Sequence, residues 1–290
     1  PDKPVSELTA RWAQPPSQFL SVQGMQVHLR DEGPRDDPTP IVLLHGTSDS
    51  LHTWDGWSAA LQTQRRVIRF DLPGFGLTGP HPQADYRIDA YVRFVLAVLD
   101  QLGVQTCVLG GNSLGGQIAW QTALAQPQRV QQLVLVDAAG YPMPPQAVPA
   151  GFRVARSWPA HVMLEWLLPR GLVQASVRNV VGDPTKVTSE WVDRYYDMTV
   201  RAGNRRALVQ RLALRETDQS EHIANLRLPT LVMWGGRDQL IPVQSGQRFV
   251  HDIPGALWVM WPDLGHVPQL EDPARTVAEV QRFLGLAPTR

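Results

Sequence analysis

Short apolar runs rich in β-branched residues alternate along the chain with longer stretches in which apolar residues recur every three or four positions. The runs cover residues 19–22, 25–29, 41–44, 67–70, 107–109, 133–136, 231–234 and 257–261. From residue 41 onward they are nearly continuously apolar, as strands covered on both faces of a parallel sheet must be. The first two flank Gln23-Gly24 and predict an antiparallel hairpin at the start of the sheet. The clearest helical stretch is 88–102, where Ile88, Tyr91, Val92, Val95, Val98, Leu99 and Leu102 form one stripe and Gly103 stops it. Helices are also expected at 114–125 and at 273–284, the latter with Asp272 as N-cap and Pro273 at the first helical position. This alternation predicts an α/β fold: a mostly parallel, eight-stranded, doubly wound sheet with helices on both faces.

One stretch breaks the rhythm. No buried-strand run occurs between residues 136 and 231, and helical patterns, best at 190–198 and 204–216, follow a proline-rich start. A crossover of that length is an inserted subdomain, since structureless loops beyond ~15 residues are uncommon. The expected organisation is a core of residues 1–138 and 228–290 with a helical insertion at 139–227.

Composition narrows the partners. Lysine and arginine total 27 and aspartate and glutamate 27, so the net charge of 0 gives no field that would draw nucleic acid or an anionic membrane. The single cysteine, Cys107, excludes an internal disulfide and a cysteine-based metal site. No window reaches 18 apolar residues, so no transmembrane helix or signal peptide is expected. The chain begins Pro1-Asp2-Lys3-Pro4 without Met, and a preceding segment is expected to have been removed.

The sharpest chemical signal is Gly111-Asn112-Ser113-Leu114-Gly115-Gly116, directly after one strand and directly before a helix. A nucleophilic serine on a tight strand-to-helix turn needs small neighbours so that the backbones can approach. A phosphate-binding loop would want lysine after the glycines, and Gln117 stands there. A serine hydroxyl also needs a base. His266, in a turn after the last strand, is the candidate; His45 follows a strand too but fits an orienting role, and His28, His81, His161, His222 and His251 read as core or surface residues. The base in turn needs a carboxylate. Asp238, behind the Gly235-Gly236 turn, is preferred; Asp137, at the end of the sixth strand, is its rival or a cap to the insertion. Two N–H donors must hold the oxyanion, and the amides of Thr47 and Leu114 are the candidates. Asp36, Asp37 and Asp71 are isolated in loops, with no metal-ligand spacing, and no G-x-G-x-x-G enters a helix; no metal and no cofactor is implied.

Together, His45-Gly46, residues 70–76, Gly111–Gly116, Gly236-Arg237-Asp238 and Gly265-His266 resemble the α/β-hydrolase fold family of serine hydrolases with a helical cap, across about residues 19–284. The resemblance implies Ser113 as nucleophile, His266 as base and acid, Asp238 as its partner, and Thr47 and Leu114 as oxyanion amides. Dehalogenases and epoxide hydrolases of that family carry Asp at the elbow, so Ser113 points to acyl chemistry. Some similar bacterial hydrolases carry a hydrophobic anchor ahead of a Pro-Asp-x-Pro start, so membrane contact or export is expected only through a segment before Pro1. The favoured reading is a carboxylesterase acting on a small to medium apolar ester between sheet and cap, with Trp158, Trp166, Trp191 and Tyr195 as candidate pocket residues. Hydrolysis of a C–C bond in ring-cleavage products, lactone hydrolysis and acyl transfer use the same three residues. A hydrolase-like binding module without turnover is the alternative of a different class.

Overall fold

The computed structural model describes residues 2–142 and 168–288. Its eight strands are β1 (Gln18–Val22), β2 (Met25–Glu32), β3 (Ile41–Leu44), β4 (Val67–Phe70), β5 (Cys107–Asn112), β6 (Val130–Val136), β7 (Thr230–Gly235) and β8 (Leu257–Trp261). They form one sheet in the order β1-β2-β4-β3-β5-β6-β7-β8. β1 and β2 form the expected hairpin; its turn residues Gln23 and Gly24 both have positive φ (49° and 79°), which matches the twist of the flanking strands. β2 also pairs antiparallel with β4, and every pairing from β4 to β8 is parallel. The sheet is therefore mixed.

Strand order explains where chemistry can occur. β3 lies between β4 and β5, so the chain runs outward from β3 to β4 and then returns across it to β5. The loops leaving β3 and β5 diverge at this reversal and open a crevice at the carboxyl ends of the strands. That crevice receives both His45-Gly46-Thr47 and Ser113.

Helices cover both faces. On one side α3 (Ile88–Gln101) and α4 (Leu114–Ala125) bury Phe94, Val98, Ile118 and Trp120 against Leu44, Phe70 and Leu109. On the other, α2 (Asp55–Leu61) and α10 (Pro273–Phe283) pack Trp57 and Val277 over Ile41 and Val108, and the Trp57 indole N–H donates to Thr276 Oγ1 at 2.9 Å. β3, β4, β5 and β7 are buried throughout, and so is β6 from Leu133 onward, in agreement with their apolar runs. β8 departs from it: Leu257 is 53% and Met260 39% exposed. It is an edge strand with a neighbour on one side only, and of its residues only Trp261 is fully covered.

Between β6 and β7 the described insertion holds α5 (Arg170–Val180), α6 (Ser189–Val200) and α7 (Asn204–Ala213). α7 stops three residues short of the expected end because Glu216 does other work: its carboxylate accepts the Ile88 amide at 2.6 Å and caps α3. The first residues strap this insertion to the core. The Lys3 amide donates to Val200 O at 2.7 Å, and the Trp12 indole of α1 (Val5–Trp12) donates to Asp197 Oδ2 at 2.8 Å. No helix among the described residues is long and apolar enough to cross a membrane.

Cys107 begins β5 and is fully buried, and burial pushes its thiol up to about 12. Because the thiolate is the reacting form, native protein should resist a thiol reagent at pH 8 and react once unfolded. Ellman's reagent with and without urea checks this; rapid native labelling would contradict the burial.

Candidate active site

The glycines of the elbow are required by contact. A Cβ on Gly111 would lie 2.2 Å from the Gly115 carbonyl, and one on Gly115 would lie 2.2 Å from Leu44 O. The strand, the turn and the helix behind it therefore meet backbone to backbone. Ser113 sits at the apex with φ 55° and ψ −117°. That region costs a non-glycine residue on the order of 1–3 kcal/mol and persists only when the surroundings hold it. Here the Ser113 amide donates to Val136 O (3.1 Å), while Ser113 O accepts the amides of Gln117 (3.1 Å) and Ala139 (3.0 Å).

The amide of Leu114 opens α4, at the positive end of the helix dipole. Across the crevice, a Cβ on Gly46 would stand 3.0 Å from Ser113 Cβ, so the backbone leading to Thr47 runs directly beside the serine. His45 fixes that loop: Nδ1 donates to Gly46 O at 2.7 Å and Nε2 accepts the Leu72 amide at 2.9 Å. Its ring is buried, and its two nitrogens tie the loop after β3 to the loop after β4, as an orienting residue requires.

His266 lies in the loop between β8 and α9 (Pro268–Glu271). Its Nδ1 is 2.7 Å from Asp238 Oδ2, and the Asp238 side chain is fully buried. Asp238 Oδ1 accepts the amides of Leu240 (2.7 Å) and Ile241 (3.0 Å). Burial works to raise the Asp238 carboxyl, but His266 and these donors hold it below its ordinary value. An ionised Asp238 makes Nδ1 the donor and leaves the Nε2 lone pair free to accept a proton. Nε2 and the Ser113 hydroxyl are not hydrogen-bonded; Asn112 holds the two residues in one corner. Its side-chain amide donates to Val136 O at 3.1 Å and to His266 O at 2.9 Å.

Glu271 supports the same loop. Its carboxylate accepts the Gly265 amide (2.7 Å) and the Gly182 amide (2.8 Å), so one side chain joins the histidine loop to the insertion. The His266 amide donates to Val180 O at 2.7 Å in the same junction. The Glu271–Gly182 and Asn112–His266 bonds join residues 89 and 154 positions apart, and no local pattern announces them.

Asp137 does not bond His266. It is buried behind Asp238, where its carboxyl accepts the Gly235 amide at 3.0 and 3.3 Å. Tyr195 donates to Asp49 Oδ2 at 2.8 Å, two residues beyond Thr47. Trp191 lies one turn before Tyr195 on the same face of α6 and is half-buried. Trp158 and Trp166 lie outside the described residues. A cavity of about 620 Å³ opens elsewhere, between Trp120, Leu124 and Pro127 on one side and His222, Leu226 and Leu228 on the other.

Asp71 is not isolated in its loop, as its sequence context suggested. It is fully buried and accepts the Leu51 amide (2.7 Å), the Leu77 amide (2.8 Å) and the His28 ring (2.8 Å), so it joins the loops after β3 and β4. Burial opposes its charge, but His28 and these donors hold it at about 2. With a depressed folded value, its contribution is present above the unfolded value of 3.8 and is lost as pH falls towards 2. Asp71→Ala should cost about 3 kcal/mol at pH 7, because His28 is left buried without its partner. Urea unfolding at pH 7 and pH 3 checks this: the gap between parent and variant should narrow at the lower pH.

The fold agrees with comparison to known proteins. A model of the alpha/beta hydrolase fold matches residues 39–273. The chain belongs to this family. An uncharacterised protein of Mycobacterium tuberculosis is 31% identical over 287 residues, covering 94% of this chain and 82% of the relative. A 2-hydroxymuconate semialdehyde hydrolase of Pseudomonas sp. CF600 is 30% identical over 275 residues, covering 91% of this chain and 92% of the relative. Among solved structures, a meta-cleavage product hydrolase of Pseudomonas fluorescens IP01 superposes with a TM-score of 0.78 at 26% identity, covering 93% of this chain and 97% of that one.

Proposed function

We propose that this α/β hydrolase cleaves carboxylic esters through an acyl-enzyme on Ser113. The observation that carries the reading is the His266–Asp238 pair at 2.7 Å, tied through Asn112 to a serine with φ 55°. Ser113 Oγ attacks the acyl carbon as its proton passes to His266 Nε2. The developing oxyanion takes the amides of Leu114 and Thr47, and Asp238 stabilises the imidazolium. His266 then protonates the alkoxide as the C–O bond breaks. Water, deprotonated by His266, attacks the acyl carbon and releases the acid with Ser113 restored. Nothing further is needed when the leaving group is an alcohol. The substrate is a small molecule with an apolar acyl or alcohol group, held between the sheet and the insertion beside Tyr195.

A second reading has its own support in the two ring-cleavage-type relatives. There the leaving group is carbon, so the substrate must first place its electrons in a neighbouring carbonyl, and a proton must reach that carbon. A panel of p-nitrophenyl acetate and butyrate, a lactone and a dienoic ring-cleavage product separates the two. Turnover of the esters well above the dienoic compound supports the first reading. The reverse order supports the second, and no turnover with no labelling by a fluorophosphonate would remove both.

A further inference from the structure

The Ser113–His266–Asp238 reading leaves a buried acid unused. Asp137 follows β6 with φ 44°, and its amide donates to Met233 O at 3.0 Å. Aspartate tolerates this left-handed turn better than most residues. Its side chain is fully buried, beside the fully buried side chain of Asp238. Oxygen and nitrogen atoms of Asp137, Asp238 and His266 lie within 4.8 Å of one another. Two carboxyl groups buried this close together cannot both stay ionised, so one of them holds a proton. Asp238 already accepts from His266 and two main-chain amides, which favours its ionised form. The proton therefore belongs to Asp137, whose one hydrogen-bond donor among the described residues is the Gly235 amide.

We propose that Asp137 is a positioning residue for the catalytic base, a neutral acid that donates to Asp238 and sets how strongly that carboxylate holds the His266 imidazolium. Burial first, and then the charge of Asp238, hold the Asp137 carboxyl well above its ordinary value, which fits this assignment. Glu271, which accepts the Gly265 amide, also acts on Asp137 in the same sense, and Lys186 acts on Glu271 in turn. Were Asp137 ionised as well, a second negative charge would lie within reach of the ring. The imidazolium would then be overstabilised, and its proton would return to the leaving group less readily. A neutral donor has the opposite effect: it draws off part of the Asp238 charge while keeping the ring oriented.

This inference rests on His266 acting as the base for Ser113, and its test separates the two. The readout is the rate at which a fluorophosphonate labels Ser113 between pH 4 and 9, with Ser113→Ala as control. Wild-type labelling absent in that control secures the nucleophile. Asp137→Ala removes the donor, so the acidic limb of the labelling profile should move up by about one pH unit. Asp137→Asn keeps a donor of the same shape and should restore the wild-type limb. An unmoved limb in Asp137→Ala, or an equal shift in both variants, would overturn the proposal. Infrared spectroscopy reads the proton without any substrate or folding-sensitive assay. A carboxylic-acid band present in the wild type at pH 7 should be missing from Asp137→Asn, and its absence from the wild type would overturn the assignment even if Ser113 is labelled.

Discussion

Ser113→Ala should lower kcat/KM for p-nitrophenyl butyrate by at least about 10⁴-fold, because a nucleophile and its base act as one unit and removing either forfeits nearly all their joint effect. The residual rate would come from the oxyanion donors and binding alone. Folding should be almost unaffected, since the Ser113 side chain makes none of the contacts that hold the turn; its main chain makes them. Strain supplies an independent check. Alanine at φ 55° inherits the strain of serine, whereas glycine does not. Ser113→Gly should therefore be as inactive as Ser113→Ala but more stable by about 1 kcal/mol. Steady-state kinetics and thermal melts on the three proteins test both halves. Undiminished turnover in Ser113→Ala would remove the nucleophile assignment, and equal stability of the two variants would mean that the turn holds no strain.

The sheet was legible because each buried strand leaves a nearly continuous apolar run, with Arg69 in β4 the one charged interruption from β3 to β7. Register and order were not, since β3 lying between β4 and β5 follows from packing across the whole chain. Helices were legible where one face is fully apolar, as in α3. α8 (Val243–Asp252) hid because Gly246 sits inside it, and glycine weakens a helical pattern. The structure shows why glycine is there: a Cβ would lie 2.5 Å from the Trp234 ring and 2.6 Å from Trp258. The elbow serine announced itself through its neighbours, whose smallness is a local necessity. The carboxylate did so less sharply, since the Gly235-Gly236 turn favoured Asp238 but left Asp137 as a rival. Asp137 and Asp238 both follow strands, and the placement of the β8 loop decides that Asp238 meets His266 while Asp137 does not. Asn112 was visible only as one letter of a motif, and Glu271 not at all, because their work is done across long separations in the chain.

Those long-range supports imply that the base can be disabled without touching it. Gly235 ends β7, and a Cβ there would lie 1.8 Å from Gly265 O, immediately before His266. Neither side can yield easily. Gly265 is pressed from behind by the insertion, 2.6 Å from where its own Cβ would stand to Gly182 N and Val180 O. Glu271 clamps both Gly265 and Gly182. Gly235 also donates its amide to Asp137. Gly235→Ala must therefore push the histidine loop away from the elbow or prise the insertion off the core. Overpacking of this kind costs about 1–3 kcal/mol. A displacement of about 1 Å at the reacting groups costs about 10² in rate, so kcat should fall at least that far even where the variant stays folded. Ser113 is untouched by the change, and its strained φ is held by β6 and α4 rather than by β7. Kinetics on the folded fraction, read beside a urea melt, distinguish the two losses. A variant that lost stability but kept wild-type kcat would show that the loop carrying His266 is set by some other contact than the one between these two glycines.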